Sequence, residues 1–211
     1  MNVTLLTSHD AFADMVRFAV TAALTCHDNT DKDVDPKELL LRIIKLGHES
    51  VLEHINLTYS IKGISRAVLQ QLARHRHISL SVESTRHTVK VKIASEPTEH
   101  LIFASRFAPE LIFSDDNTGI ERVYRQIVFD MLKQFIFQCP EVSNDQLKYL
   151  IPELWPTNLI LTSNIRELRH ILKLRTHPSA LMEFRKLGIE LFSRVPDDFK
   201  YLLEDCVYIG G

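Results

Sequence analysis

The sequence predicts an α+β fold, a mixed or antiparallel sheet packed with long helices, and three observations carry that expectation. Stretches with apolar residues at helical spacing are interspersed with stretches that alternate apolar and polar residues. No internal repeat and no linker long enough to separate domains divides the 211 residues, so 1–211 reads as a single domain. A composition of 45% hydrophobic and 25% charged residues suits a chain with a sizeable buried core.

Taken in order, Val3 to Leu6 read as a short first strand and Ala11 to Leu24 as an Ala-rich core helix. Asp35-Pro36-Lys37-Glu38 supplies an N-cap, a proline at the first helical position and an acidic capping partner. The helix they start runs through Leu39, Leu40, Ile43 and Ile44 and stops at Gly47. Ile55, Leu57, Tyr59 and Ile61 alternate with polar residues, the pattern of a strand with one buried face, ended by Gly63. From Ile64 to about Arg76 the period is helical, with Ala67, Val68 and Leu72 inward and Gln71, Arg74 and His75 sharing a polar face. Ile78 to His87 reads as a loop, and Val89, Val91 and Ile93 as a further strand. Asp115 to Gly119 is a loop signal, Ile120 to Gln138 a long helix closed by Cys139-Pro140, and the last third mostly helical. Its breaks fall at Pro152, Pro156, Pro178 and Pro196.

The 25 Lys+Arg against 27 Asp+Glu leave a net charge of −2, so charge does not call for a nucleic-acid polymer as partner, and any basic site must be local. No apolar run approaches the roughly 20 residues of a membrane span. The opening Met1-Asn2-Val3-Thr4 lacks the features of a signal peptide, and a cytoplasmic protein is expected. Cys26, Cys139 and Cys206 contain no C-x-x-C pair, which fits reduced thiols and excludes a zinc ribbon or redox dithiol.

The unusual segment runs from Arg74 to His87, with three Arg and three His among hydroxyl residues and a single acid, Glu83. Guanidinium forks and loop N–H groups suit a phosphate-bearing ligand, and a solvated basic helix end is the bland alternative. No metal is expected: His75 and His77 are not spaced i, i+4, and the fourth residue after His48 is Leu52. A second constellation holds Asn164, Arg166, His170 and Arg175; on one helix Arg166 and His170 are neighbours, though an exposed amphipathic helix would look the same. Neither G-x-G-x-x-G nor a Walker loop is present, so a nucleotide would be held by side chains and helix ends.

Arg74-His75-Arg76, then Ser79, Ser84 and Arg86 at the same intervals, closely resemble the R-H-R-x-x-S-x-x-x-x-S-x-R signature of the flavin-dependent thymidylate synthases, the ThyX family. Further blocks resemble the family in the same order: His48-Glu49-Ser50 to Glu53-His54, Lys148 to Pro152, and Asn164-x-Arg166 through His170 to Arg175. The resemblance implies reductive methylation of dUMP to dTMP, with methylenetetrahydrofolate as one-carbon donor, FAD as redox cofactor and NADPH as reductant. It implies a cofactor site at Ser50, Glu53, Arg74, His75, Arg76, Asn164, Arg166 and His170, with His48 near the flavin ring and folate. It implies a dUMP site at Gln71, Arg74, Glu83, Ser84, Thr85, Arg86, Lys148 and Arg175, and a homotetramer with shared sites, for which the helices at Ile120–Gln138 and Ala180–Phe192 offer apolar faces.

Arg175 takes the catalytic role by the same resemblance. A guanidinium beside the uracil stabilises anionic character and makes C5 electron-rich without a cysteine nucleophile. The chain departs from the common motif at Ser81-Val82, where Asn-Glu is frequent, with an acid displaced to Glu83. Lys148 stands where arginine is frequent, which keeps the charge and loses the bidentate geometry. An inactive flavin- or nucleotide-binding homologue and an RNA-binding module are the other readings; the basic segment lacks interleaved aromatics for base stacking.

Overall fold

The computed structural model describes residues 1–26, 28–29, 32–94 and 118–208, with backbone alone for 94 and 118–126. Strand β1 (Asn2–Leu5) leads to α1 (His9–Thr25), α2 (Pro36–Lys45) and a 3-10 turn at Glu49–His54. Strand β2 (Asn56–Ser65), α3 (Arg66–Leu72), β3 (Ile78–Val82), α4 (Thr85–Ala94), α5 (Thr118–Gln138) and α6 (Asn144–Leu147) follow. The chain continues with β4 (Pro156–Asn164), α7 (Ile165–Arg175), α8 (Met182–Ser193) and 3-10 turns at Asp197–Leu202 and Glu204–Cys206.

The local starts and stops are those the residue types demand. Ser8 caps α1 by accepting from the Ala11 N–H, and Asp35 caps α2 from the Glu38 N–H at 2.8 Å. Gly47, at φ +71°, takes the left-handed conformation that closes α2. The four strands form one sheet in the order β1-β2-β4-β3. Its pairing is antiparallel: Leu6 N–H donates to Thr58, Ile165 N–H to Ile55, and the Thr58 and Thr162 hydroxyls meet at 2.9 Å.

The residues fall into two compact units, each assembled from separated stretches of chain. The larger holds 2–61, 73–81 and 160–211. Its core takes in Phe12, Leu40, Leu52, Ile55, Leu57, Leu161, Leu168 and Phe184, all fully buried, and Phe12 stacks on Phe199 at 4.3 Å. The smaller holds residue 1, 62–72 and 82–159. Its core is Val89, Ile93, Phe129, Leu132, Val142, Leu147 and Trp155.

Several sequence expectations are corrected. The strand expected at Val89–Ile93 is the helix α4: Val89 and Ile93, four apart, are buried while Val91 between them is 66% exposed, so packing selects the helical period over β-branched propensity. The loop expected from Ile78 contains β3, in which the partly buried Ile78 and Leu80 alternate with exposed Ser79 and Ser81. Strand β2 passes through Gly63 to Ser65; at φ +73° the glycine inserts an extra residue, and the buried positions switch from Leu57, Tyr59 and Ile61 to Ile64. Helix α3 ends at Leu72, so Arg74 and His75 lie beyond it and do not share a helical face with Gln71. The last third contains β4, buried at Thr157, Leu159, Leu161 and Ser163. Helix α5 starts at Thr118, two residues before the expected Ile120; residues 115–117 of the expected loop lie outside the described residues.

Candidate functional site

Helix α7 organises the candidate site of the larger unit. Asn164 is its N-cap, with the side-chain oxygen accepting from the Glu167 N–H at 2.8 Å, so the expected single helix through Asn164 begins one residue later. Arg166, His170 and Lys173 then follow at i, i+4 and i+7 on one face. That face walls a cleft of about 500 Å³ lined also by Glu49, Glu53, His77, Asn164 and Glu167. Four residues expected at a flavin, Glu53, Asn164, Arg166 and His170, are therefore gathered in one cavity.

The acids of this cleft have cationic or imidazole partners. Arg166 donates to Glu53 at 2.6 Å, both about half exposed. Glu49 accepts from Arg169 Nε at 3.0 Å, and Glu167 pairs with His75 at 2.9 Å. An exposed ion pair is worth at most about 1 kcal/mol, so an incoming anion can displace Glu53 from Arg166 at small cost. With Lys173, two imidazoles and the N-terminus of α7, the donor set fits a pyrophosphate-bearing cofactor, and the volume lies within the range of small-molecule sites.

Arg175, the last residue of α7, makes a second arrangement with His75. Its Nε–H donates to His75 Nε2 at 3.2 Å, and its guanidinium carbon lies 4.9 Å from the centre of the Phe184 ring. His75 is 6% exposed, and its Nδ1 faces a Glu167 carboxylate oxygen. Burial holds the His75 imidazole below its ordinary pKa against the opposing pull of the Glu167 bond. Burial, joined by the nearby charge of Arg74, lowers that of Arg175. Gly188 on α8 lies against Thr176, the C-cap of α7: a Cβ there would come within 2.7 Å of the Thr176 methyl.

His75, Glu167 and His170 each offer one ligand atom, all within 4.8 Å of one another. Sequence spacing gave no reason to expect that cluster. Both His75 nitrogens are engaged, one by Glu167 and one by the cationic Arg175, so the group is organised for hydrogen bonding.

The other expected residues lie elsewhere. His48 and Ser50 line a different, more apolar cavity of about 690 Å³, with Cys26, Arg42 and Leu46 among its walls, so Ser50 does not share the cleft with Glu53. Arg76 is exposed and lines neither cavity. In the smaller unit, Glu83 accepts from the Asn158 amide at 2.6 Å and pairs with Lys92. Thr85 is buried; Ser84, Lys148 and Arg86 are exposed, and Arg86 pairs with Asp145. Gln71, at the end of α3, is half-buried in the same unit.

Sequence reasoning missed Glu49, His77, Glu167, Lys173 and Arg169. Glu167 was signalled by the Asn-x-x-Glu capping pattern and Lys173 by its spacing from Arg166 and His170. Arg169 is a structural anchor, 2% exposed, donating to Glu49, to both Asp205 oxygens at 2.7 Å and to the Leu202 carbonyl.

The family model for the thymidylate synthase complementing protein, Thy1, matches residues 6–198. A flavin-dependent thymidylate synthase of Campylobacter jejuni (strain RM1221) is 36% identical over 99% of this chain and 98% of its own, and one of Wolinella succinogenes is 37% identical over 96% and 97%. The crystal structure of thymidylate synthase X (ThyX) from Helicobacter pylori with FAD and dUMP superimposes with a TM-score of 0.83 at 31% identity, covering 98% of this chain and 99% of that one. Motif, fold and full-length relatives agree, and the chain belongs to the thymidylate synthase complementing protein family, that of the flavin-dependent thymidylate synthases.

Proposed function

We propose that this chain, acting as one domain over 1–211, converts dUMP to dTMP with FAD as cofactor, methylenetetrahydrofolate as one-carbon donor and NADPH as reductant. The observation that carries the reading is the gathering of Glu53, Asn164, Arg166 and His170 around one cleft whose donors suit a pyrophosphate. Bound FAD supplies hydride chemistry. The chain's own residues bind, orient and polarise. Arg166 and Lys173 neutralise phosphate charge, Asn164 and His170 add hydrogen bonds, and the N-terminus of α7 contributes its dipole. Arg175 presents a fixed positive charge to the uracil, favouring its anionic form and raising electron density at C5. The nucleotide's other expected contacts are Gln71, Arg74, Ser84, Thr85, Arg86 and Lys148. Glu83, held by Asn158 and Lys92, braces the loop before α4.

No cysteine nucleophile is needed in this scheme. Burial pushes the Cys206 thiol up to about 12, which keeps it protonated, and Cys139 packs against the smaller unit's core. Cys26 lines the larger cavity, apart from Arg175. Assembly as a homotetramer follows the family resemblance and is supported by apolar residues left on the surface of α5, Ile127, Met131, Phe135 and Phe137. Among the described residues no helix is long and apolar enough to cross a membrane.

The test is an absorption spectrum of the purified protein followed by turnover. The expected result is a yellow protein that bleaches with NADPH and then yields dTMP from dUMP and methylenetetrahydrofolate. A colourless protein unable to take up FAD overturns the reading; flavin binding without turnover assigns an inactive homologue.

A further inference from the structure

Glu167 and Arg175 occupy opposite ends of α7, eight residues and about 12 Å of helix apart. His75, from the segment between α3 and β3, spans the distance between their side chains, 2.9 Å from one and 3.2 Å from the other. The donor and acceptor requirements of this chain admit one protonation pattern. Arg175 Nε can only donate, so His75 Nε2 must present a lone pair. A neutral imidazole then carries its proton on Nδ1 and donates it to the Glu167 carboxylate. The side chains of His75 and Glu167 are 4% and 11% exposed, so water does not readily substitute for either partner. Glu167 is itself anchored, because its N–H is the one Asn164 caps.

We infer that Glu167 is a positioning residue acting on Arg175 through His75: its carboxylate selects the Nδ1–H tautomer, and the bare Nε2 fixes the direction of the Arg175 guanidinium. The inference rests on the proposed role of Arg175 at the uracil. The smallest change that breaks it is loss of the acceptor at position 167, which frees the imidazole to place its proton on Nε2. Two N–H groups would then face each other, and the bond that directs Arg175 Nε would be lost.

The experiment uses the full chain carrying FAD, with histidines labelled with 15N and the His75 signal assigned by its loss in His75→Gln. A long-range 1H–15N correlation spectrum of the unmutated protein is expected to show His75 protonated at Nδ1 alone, and Glu167→Ala to move the proton toward Nε2. Glu167→Ala, measured with FAD saturating, is expected to lower kcat by about 10- to 100-fold, since misplacing one group by about an ångström has that effect. Glu167→Gln keeps an acceptor oxygen and is expected to recover most of the loss and the original tautomer. An Nε2–H form in the unmutated protein overturns the inference, as does unchanged kcat in either folded variant that has lost the Nδ1–H form. Should Glu167→Ala fail to fold, the unmutated spectrum and Glu167→Gln decide. If the unmutated enzyme makes no dTMP, the functional reading fails separately, while the tautomer still tests the hydrogen-bond relay.

Discussion

Arg166 and Arg169 stand three residues apart on the same helix and meet opposite fates. Arg166 is half exposed and holds one partner, Glu53, that is equally exposed. Arg169 is buried and holds Glu49, Asp205 and the Leu202 carbonyl at once. Burial, the largest single influence, would lower the Arg169 pKa, yet the bond to Asp205 and the neighbouring negative charges, Asp205 and Glu49 among them, together outweigh it and the charge is held more firmly than usual. The difference separates a guanidinium committed to the fold from one available to a ligand. Nothing in the residue type distinguishes them; their surroundings do.

Arg169→Met is expected to have the largest effect on stability. It strands Glu49 and the Leu202 carbonyl and costs about 3 kcal/mol or more, the range for removing one partner of a buried ion pair. Urea denaturation measures it, and a loss below about 1 kcal/mol would show that Asp205 and Glu49 find water instead. Arg166→Ala reverses the pattern: it is expected to weaken FAD retention at least about tenfold while changing stability by less than about 1 kcal/mol. Flavin release during dialysis reads the first quantity and urea denaturation the second.

His75 makes stability depend on pH. Its folded pKa is depressed, so below about 6.5 the unfolded chain binds a proton that the folded one refuses. The stability contributed by neutral His75 is fully present above that pH and is lost as pH falls toward the folded value. Glu167 opposes the depression, whereas Arg175 and His170 add to it. Urea midpoints measured from pH 8 to pH 5 should fall more steeply for the unmutated protein than for His75→Gln; equal slopes would mean that His75 takes up its proton in both states alike. The smallest expected structural effect is at Arg86, whose pair with Asp145 is exposed. Arg86→Ala should leave the thermal midpoint unmoved while weakening dUMP binding, and calorimetry of dUMP binding would settle whether this arginine meets the nucleotide.

What the sequence made legible follows the same division between local and distant causes. Asp35, Pro36, Glu38 and Gly47 specify α2 through groups within a few residues of one another, and the alternation from Leu57 to Ile61 specifies most of β2. Val89, Val91 and Ile93 fit a strand as well as a helix until the core around Phe129 and Trp155 selects Val89 and Ile93. In the site, the motif arginines and histidines could be named in advance and Arg166 and His170 were readable as helix neighbours, while Lys173, a turn further along the same face, was missed. The bond between His75 and Arg175 joins residues one hundred positions apart, and no local pattern encodes it. Ser50 was grouped with Glu53 through the family resemblance of the block from His48 to His54, yet the two line different cavities from the same short turn.

The bare backbone of Gly188 has a mechanical meaning. Thr176 cannot rotate out of the way of an added methyl, because its hydroxyl is tied to the Leu172 carbonyl at 2.7 Å and to the Tyr208 amide at 3.0 Å. The missing side chain therefore acts as a clearance that lets α8 seat against the terminus of α7, one residue from Arg175. A single carbon atom added there would be transmitted as a small displacement to the charge on which the chemistry depends.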